Sequence, residues 1–196
     1  MVQFNATFVS MADLRRGIIV RRIGLWLPAS AAFTIIVIAP GAASTPRVDN
    51  VVQVGGRVSS FVQPRISGAV ITAIIYEPGD AASESEARSI ERSMGEAMVV
   101  GSARLVPRRV STSALQGLAG ARLAFVTRGT NYRAIASAAS SRSILTISAD
   151  PACAQAGYCV VAISAAPRVQ ITVSRAASRA ANLRFNSSFL MLVREI

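Results

Sequence analysis

The chain has two cysteines, Cys153 and Cys159, and they are the residues whose type and spacing speak most directly of chemistry. They lie in Asp150-Pro151-Ala152-Cys153-Ala154-Gln155-Ala156-Gly157-Tyr158-Cys159, where five intervening residues and a glycine let the chain close on itself. A free-thiol redox pair more often has Cys-x-x-Cys spacing, and two thiols alone make a poor zinc site. A structural disulfide is the expectation, stabilising by on the order of 2–3 kcal/mol for so short a loop. There is no His and no Lys. That removes a Ser-His-Asp triad, a Cys-His pair, a His-ligated metal and a Schiff-base lysine. Paired carboxylates remain, but Glu84, Glu86, Glu91 and Glu96 fall on one predicted helix among arginines, where a solvated, ion-paired face accounts for them. No spacing asks Asp80, Asp150 or the neighbouring serines to work as catalytic groups. The expectation is a protein that is not an enzyme, with no catalytic residue, metal or cofactor.

The elements that must position these residues read as strands alternating with short helices. Val51, Val54, Val58 and Phe61 make a helical stripe that ends at Pro64, weakened by Gly55-Gly56, since each glycine costs about 1 kcal/mol against alanine. Ala69–Tyr76 is a buried strand, and Pro78-Gly79-Asp80 turns the chain. Ser83–Met98 is a helix with Ala87, Ile90, Met94 and Met98 on one face and the pairs Glu84/Arg88 and Arg92/Glu96 on the other. Val99–Val110 is a strand broken by Pro107. Ser111–Leu118 is a short helix, Arg122–Thr127 a strand, Asn131–Ser140 an Ala-rich helix and Ser143–Ser148 a strand. Beyond the cysteine loop, Val160–Ala165 and Val169–Ser174 form a hairpin about Pro167-Arg168. Arg175–Asn182 is helical, with Asn182 suited to the left-handed position at its end, and Ser187–Val193 is a short apolar helix or strand. The fold class is α/β: a single compact domain whose central mixed, mostly parallel sheet is flanked by short helices. Parallel strands place ligand crevices at their carboxyl ends, which puts Glu77, Asp80, Arg128, Thr130 and Asp150 at a candidate small-ligand site.

Residues 1–44 read as a signal peptide. Arg15, Arg16, Arg21 and Arg22 precede the apolar run Ile23–Ile38, and Pro40-Gly41-Ala42-Ala43-Ser44 is small enough for cleavage after Ala43 or Ser44. The ten residues before Met11 lack basic character, so Met11 is an alternative start. A run of 16 residues is shorter than the roughly 20 that span a bilayer, which favours a leader over an inner-membrane anchor facing the periplasm. Residues 45–196 are then the folded domain, and the oxidising compartment is where the cysteine pair reads as a bridge.

Residues 1–43 hold four of the 21 basic residues and one of the ten acids, so the remaining 153 carry 17 against nine, a net of +8. The arginines are dispersed, and neither a helix-turn-helix nor an aromatic stacking platform accompanies them. A nucleic-acid partner is not expected; a modest attraction to acidic partners or anionic lipid is.

The C-terminal half resembles the YfiR family of periplasmic proteins of Gram-negative bacteria. The residues that carry the likeness are Leu123-Ala124-Phe125-Val126, Ile144-Leu145-Thr146-Ile147-Ser148-Ala149-Asp150, the Gly157 region and Arg168-Val169-Gln170-Ile171-Thr172-Val173-Ser174. Leu183-Arg184-Phe185-Asn186-Ser187-Ser188-Phe189-Leu190-Met191-Leu192-Val193 completes it, and Val51–Pro64 is similar to the family's opening helix with its aromatic-Pro corner. The chain departs from the family pattern at Ser174 for Asn, Asn182 for Gly and Gln63 for Trp. The resemblance implies a compact α/β domain and a non-catalytic role in c-di-GMP signalling. Such a protein restrains an inner-membrane diguanylate cyclase by binding its periplasmic sensor part, and an outer-membrane lipoprotein can sequester the restrainer. A homodimer stays open. Val58, Phe61, Phe189 and Leu190 are the candidate contact residues, each weighed against ordinary core packing.

Overall fold

Strand β2 (Gly68–Tyr76) is the axis of the molecule. Its β-branched run sends Val70 and Ile74 into one apolar cluster and Ala73 and Ile75 into another. Both of its faces are therefore covered, as parallel strands require. The computed structural model describes residues 46–165 and 167–196. The predicted leader, with Ala43 and Ser44 at its exit, lies outside the described residues.

On one side of β2, β4 (Ala103–Ser111) pairs parallel from Gly68↔Ala103 to Tyr76↔Ser111; on the other lies β5 (Ala121–Val126), also parallel. β6 (Leu145–Ser148) and β7 (Val161–Ser164) continue the parallel array. β3 (Met98–Val100) adds antiparallel to β4, β8 (Gln170–Val173) antiparallel to β7, and β10 (Arg194–Glu195) parallel to β8. The resulting eight-stranded sheet runs β10-β8-β7-β6-β5-β2-β4-β3. This is the mixed, mostly parallel α/β sheet expected, and the described residues form one compact unit around it.

Helices α1 (Pro46–Ser59) and α2 (Ala81–Met94) cover one face; a 3-10 helix (Thr112–Leu118), α3 (Tyr132–Ser140) and α4 (Pro151–Gln155) cover the other. Each start on the second face has a polar cap. The Asn131 Oδ1 accepts from Ala134 N–H, Asp150 Oδ1 from Ala152 N–H, and the Ser111 Oγ from Ser113 N–H. α5 (Arg175–Ala180) and α6 (Ser187–Leu190) complete the C-terminal region. A separate two-stranded ribbon, β1 (Val62–Gln63) with β9 (Arg184–Phe185), joins the end of α1 to that region.

Several expectations change in the structure. The buried stripe of α1 is Val51, Val52, Gly55, Gly56, Val58 and Ser59, while Phe61 lies beyond the helix end. The glycines are there because α1 sits close to the sheet. A Cβ on Gly55 would stand 2.8 Å from the Phe125 ring and 3.2 Å from Ile147 Cδ1, and one on Gly56 would collide with Met98 Cε. α2 ends at Met94 because Gly95 takes φ 61°, so Met98 reaches the core from β3 instead. Arg92 bonds the Arg88 carbonyl and Ser89 Oγ rather than Glu96, whereas Glu84–Arg88 forms as expected at 3.4 Å. Pro107 does not break its strand. β3 pairs only with Ala103–Leu105, so at Pro107 the strand β4 is a sheet edge, where a missing N–H is tolerated.

Candidate functional site

Two regions offer binding surface. The first is a cleft of about 170 Å3 at the carboxyl ends of β5, β6 and β7, where α1 and α2 roof the sheet. Phe125, Ile147 and Ile163 form its floor, Val51 and Ile90 its roof, and Glu86 and Arg128 its polar rim. The Arg128 N–H donates to Glu86 Oε2 at 3.1 Å, and the guanidinium Nε lies 3.6 Å from the same oxygen. Glu86 is nearly buried, at 11 % side-chain exposure, while Arg128 is 67 % exposed. The pair closes one end of a slot of benzene-like capacity whose floor and roof are apolar side chains and whose open surface is as much polar as apolar.

Behind the rim, a chain of hydrogen bonds locks α2 to the strand ends. The Ser83 and Thr127 hydroxyls lie 2.6 Å apart, Thr127 Oγ1 donates to the Ile75 carbonyl at 3.0 Å, and the Glu77 N–H donates to Ser83 Oγ at 2.8 Å. Asp80 caps α2 by accepting from the Ala82 and Ser83 N–H groups at 2.9 Å. Thr130 Oγ1 donates to the Thr127 carbonyl, and Asp150 Oδ2 accepts from the Tyr132 hydroxyl at 2.8 Å. Burial, then the bonded Asp150 carboxylate, push the Tyr132 phenol well above its ordinary pKa. Glu77, Asp80, Arg128, Thr130 and Asp150 do gather at the strand ends, as predicted. Of these only Arg128 lines the cleft; the bonds around the others hold loops and helix starts. Glu86, read from sequence as part of a solvated face, is the rim residue that was missed. Its signal is position: it stands one turn before Ile90, at the margin of the apolar stripe.

The second region is an aromatic corner. Phe61 stacks on Phe189 with centroids 4.9 Å apart, and Phe185 tilts against Phe189 at 5.3 Å. The Asn186 N–H donates to the Phe61 carbonyl at 3.2 Å, and Val62 pairs with Phe185 in the ribbon. Val58 and Phe189 are buried among core side chains, which removes them from any accessible contact surface. Phe61 is 37 % exposed and Leu190 half-buried. Beyond them Met191 and Leu192 stand 81 % and 83 % exposed, and neither was singled out from sequence. The signal was the four-residue apolar run Leu190–Val193, longer than one helical turn can turn inward.

The Cys153–Cys159 disulfide is formed, with Cα atoms 5.2 Å apart and both residues buried in the second cluster. Gly157, at φ 75°, makes the return turn. Each of the three departures from the family pattern has a local structural role. Ser174 caps α5 by accepting from Ala177 N–H, and Asn182 takes the left-handed position at φ 53°. Gln63 pairs with Arg184 in the ribbon. Among the described residues no helix is long and apolar enough to cross a membrane.

Solved structures share this fold. A conserved domain protein from Vibrio cholerae O1 biovar El Tor matches with TM-score 0.56 at 12 % identity, over 76 % of this chain and 59 % of the other. The ligand-free, open form of a substrate-binding protein with adhesive properties from Clostridium difficile matches with TM-score 0.55 at 10 % identity, again over 76 % and 59 %. The chain thus spans less than two thirds of either neighbour, and the likeness is one of fold. Among curated proteins none matches this sequence. The sequence profile of the YfiR/HmsC-like family matches residues 78–194, from the turn after β2 to the start of β10, and with more than half of its length matched this chain belongs to the YfiR/HmsC-like family.

Proposed function

We propose that the protein is an exported, periplasmic regulatory binding protein that restrains an inner-membrane diguanylate cyclase by docking on the cyclase's periplasmic sensor part. Family membership over residues 78–194 is the observation that carries this reading. The aromatic corner supports it, because Phe61, just before the ribbon, and Leu190, at the end of α6, offer apolar surface. The mechanism is a population shift. A regulator that binds the inactive cyclase about tenfold more tightly than the active one supplies about 1.4 kcal/mol of bias, and an outer-membrane lipoprotein that competes for the regulator removes it. Pull-down from the periplasmic face with a photo-crosslinking residue at Phe61 tests this. Recovery of a membrane protein carrying a cyclase domain is the expected result, and its absence would overturn the proposal.

The cleft favours a second reading, a small-ligand module. Its floor of Phe125, Ile147 and Ile163 suits an apolar body of a few carbons, and the Glu86–Arg128 rim suits a small polar head. Calorimetry against a metabolite panel decides: an Ile163→Trp variant that fills the slot should abolish any heat seen with the native protein, and a flat response from the native protein sinks the reading.

A further inference from the structure

We infer that the tip formed by Met191 and Leu192, with the arginines around it, is a docking surface for anionic phospholipid. This goes beyond the regulatory reading, since it needs no protein partner.

The first observation is exposure. Met191 and Leu192 protrude at 81 % and 83 %, directly after α6, whose Phe189 is stacked on Phe61. Backbone bonds hold them in place: Met191 N–H donates to the Ser187 carbonyl at 3.1 Å and Leu192 N–H to the Phe189 carbonyl at 2.9 Å. They are a fixed apolar projection. A protein partner would have to provide pockets for two such side chains, whereas a bilayer interface accepts any projecting apolar shape.

The second observation is charge. Residues 57–65 and 184–194, which build this corner, contain no Asp or Glu. Glu195 is the acid nearest in sequence to the tip, and it is bonded to Arg175 at 2.9 Å. Arg57, Arg65, Arg184 and Arg194 are all exposed, and among the described residues none is in an ion pair. Arg57 is one turn before Phe61, Arg184 pairs with Gln63 in the ribbon, and Arg194 is two residues past Leu192. An apolar projection with unpaired cations on the elements that flank it meets both requirements of an anionic interface: side chains for the acyl boundary and charges for the headgroups. Binding at such an interface rises with both the buried apolar area and the attraction to anionic headgroups.

Vesicle co-sedimentation of the full-length chain tests the inference, with every variant carrying the same residues 1–45. Phosphatidylcholine vesicles are compared with vesicles in which about a third of the lipid is phosphatidylglycerol. The native protein should partition at least about tenfold more onto the anionic vesicles, and M191D/L192D should lose about tenfold or more of that binding. Each of R57Q, R184Q and R194Q should cost up to about fivefold, and raised salt should act in the same direction. Because all these positions are exposed, unchanged circular dichroism and melting temperature are the check on folding. Equal partition onto both lipids, or anionic binding that M191D/L192D leaves intact, overturns the proposal. If M191D/L192D abolishes capture of a cyclase while leaving vesicle binding untouched, the tip belongs to a protein interface and the lipid assignment falls. Failure to capture any cyclase would sink the regulatory reading and leave the vesicle result standing.

Discussion

The cleft and the aromatic corner lie toward opposite ends of α1, and they differ in what they leave unsatisfied. In the cleft, Glu86 and Arg128 neutralise each other and the polar groups behind them are hydrogen-bonded, so what stays open is a small slot with no unbalanced charge. At the corner Phe61 stacks on Phe189, yet two large side chains are exposed and four exposed arginines have no ion-pair partner among the described residues. Concave, charge-balanced surface selects by size and suits a small molecule. Convex, acid-free surface selects by the sign and extent of what it meets, which suits a macromolecular or lipid surface. One small domain can therefore carry two separate recognition surfaces, and substitutions should be able to disable either one alone.

The largest expected effect belongs to the corner. Phe189 is buried against Phe61 and Phe185, and Phe189→Ala should cost about 3–4 kcal/mol in chemical denaturation, toward the lower end for a buried aromatic because the single-turn α6 can collapse. If the two surfaces are independent, the cleft's small-molecule binding survives in conditions where the fold persists. Loss of both together would mean that the corner organises the whole face.

Next is the disulfide, which ties down α4 directly after Asp150, beside the cleft's Ala149. Replacing Cys153 and Cys159 by Ser should lower stability by about 2–3 kcal/mol, measured by urea unfolding against the oxidised native chain. Vesicle binding at the tip should be unaffected.

A smaller effect separates the two ends by pH. The Tyr132 phenol is raised by its burial and by donating to Asp150. A raised acid pKa means that the folded state holds the proton more tightly than the unfolded chain. This contribution is fully present below about pH 10, the unfolded value, and is lost as pH climbs above it. The melting temperature of Tyr132→Phe should therefore fall less steeply than that of the native protein above that pH. Parallel curves would show that the phenol holds its proton no more tightly in the folded state than in the unfolded chain.

Much of this was legible because the strongest signals are local. β2, β5 and β6 announce themselves as short apolar β-branched runs, α3 by its Asn131 cap, and the return of α5 by Asn182, whose left-handed φ is 53°. The misreadings share a cause, which is that pairing across space decided the outcome. Pro107 is harmless only because β3 stops short of it, and the β1–β9 ribbon joins residues more than a hundred positions apart through two-residue strands with no periodicity to detect. At the sites the same holds. The strand-end loops were found, but which side chain faces the slot depends on how α2 rolls against the sheet. Val58 and Phe189 were grouped with Phe61 and Leu190 by apolar character, and only packing separates core from surface.

The smallest effects concern the helix that links the two regions. From sequence, Gly55 and Gly56 are equivalent defects in α1, each worth about 1 kcal/mol of helix stability if replaced by alanine. In the structure they are not equivalent. A methyl on Gly55 would press on the Phe125 ring at 2.8 Å, and that ring, reaching toward α1 from β5, is the largest fully buried side chain among the described residues. Overpacking costs typically about 1–3 kcal/mol, so Gly55→Ala should be net destabilising by about 1 kcal/mol and should disturb the cleft floor. A methyl on Gly56 meets Met98 Cε, the far end of a flexible thioether that can take another rotamer. There the helix gain should nearly cancel or exceed the packing loss, leaving Gly56→Ala neutral or slightly stabilising. Paired thermal melts decide it. Opposite shifts would mean that α1 is set at its height by Phe125, and with it the slot; equal shifts would mean that the helix rides freely over the sheet and that the cleft has no fixed size to select with.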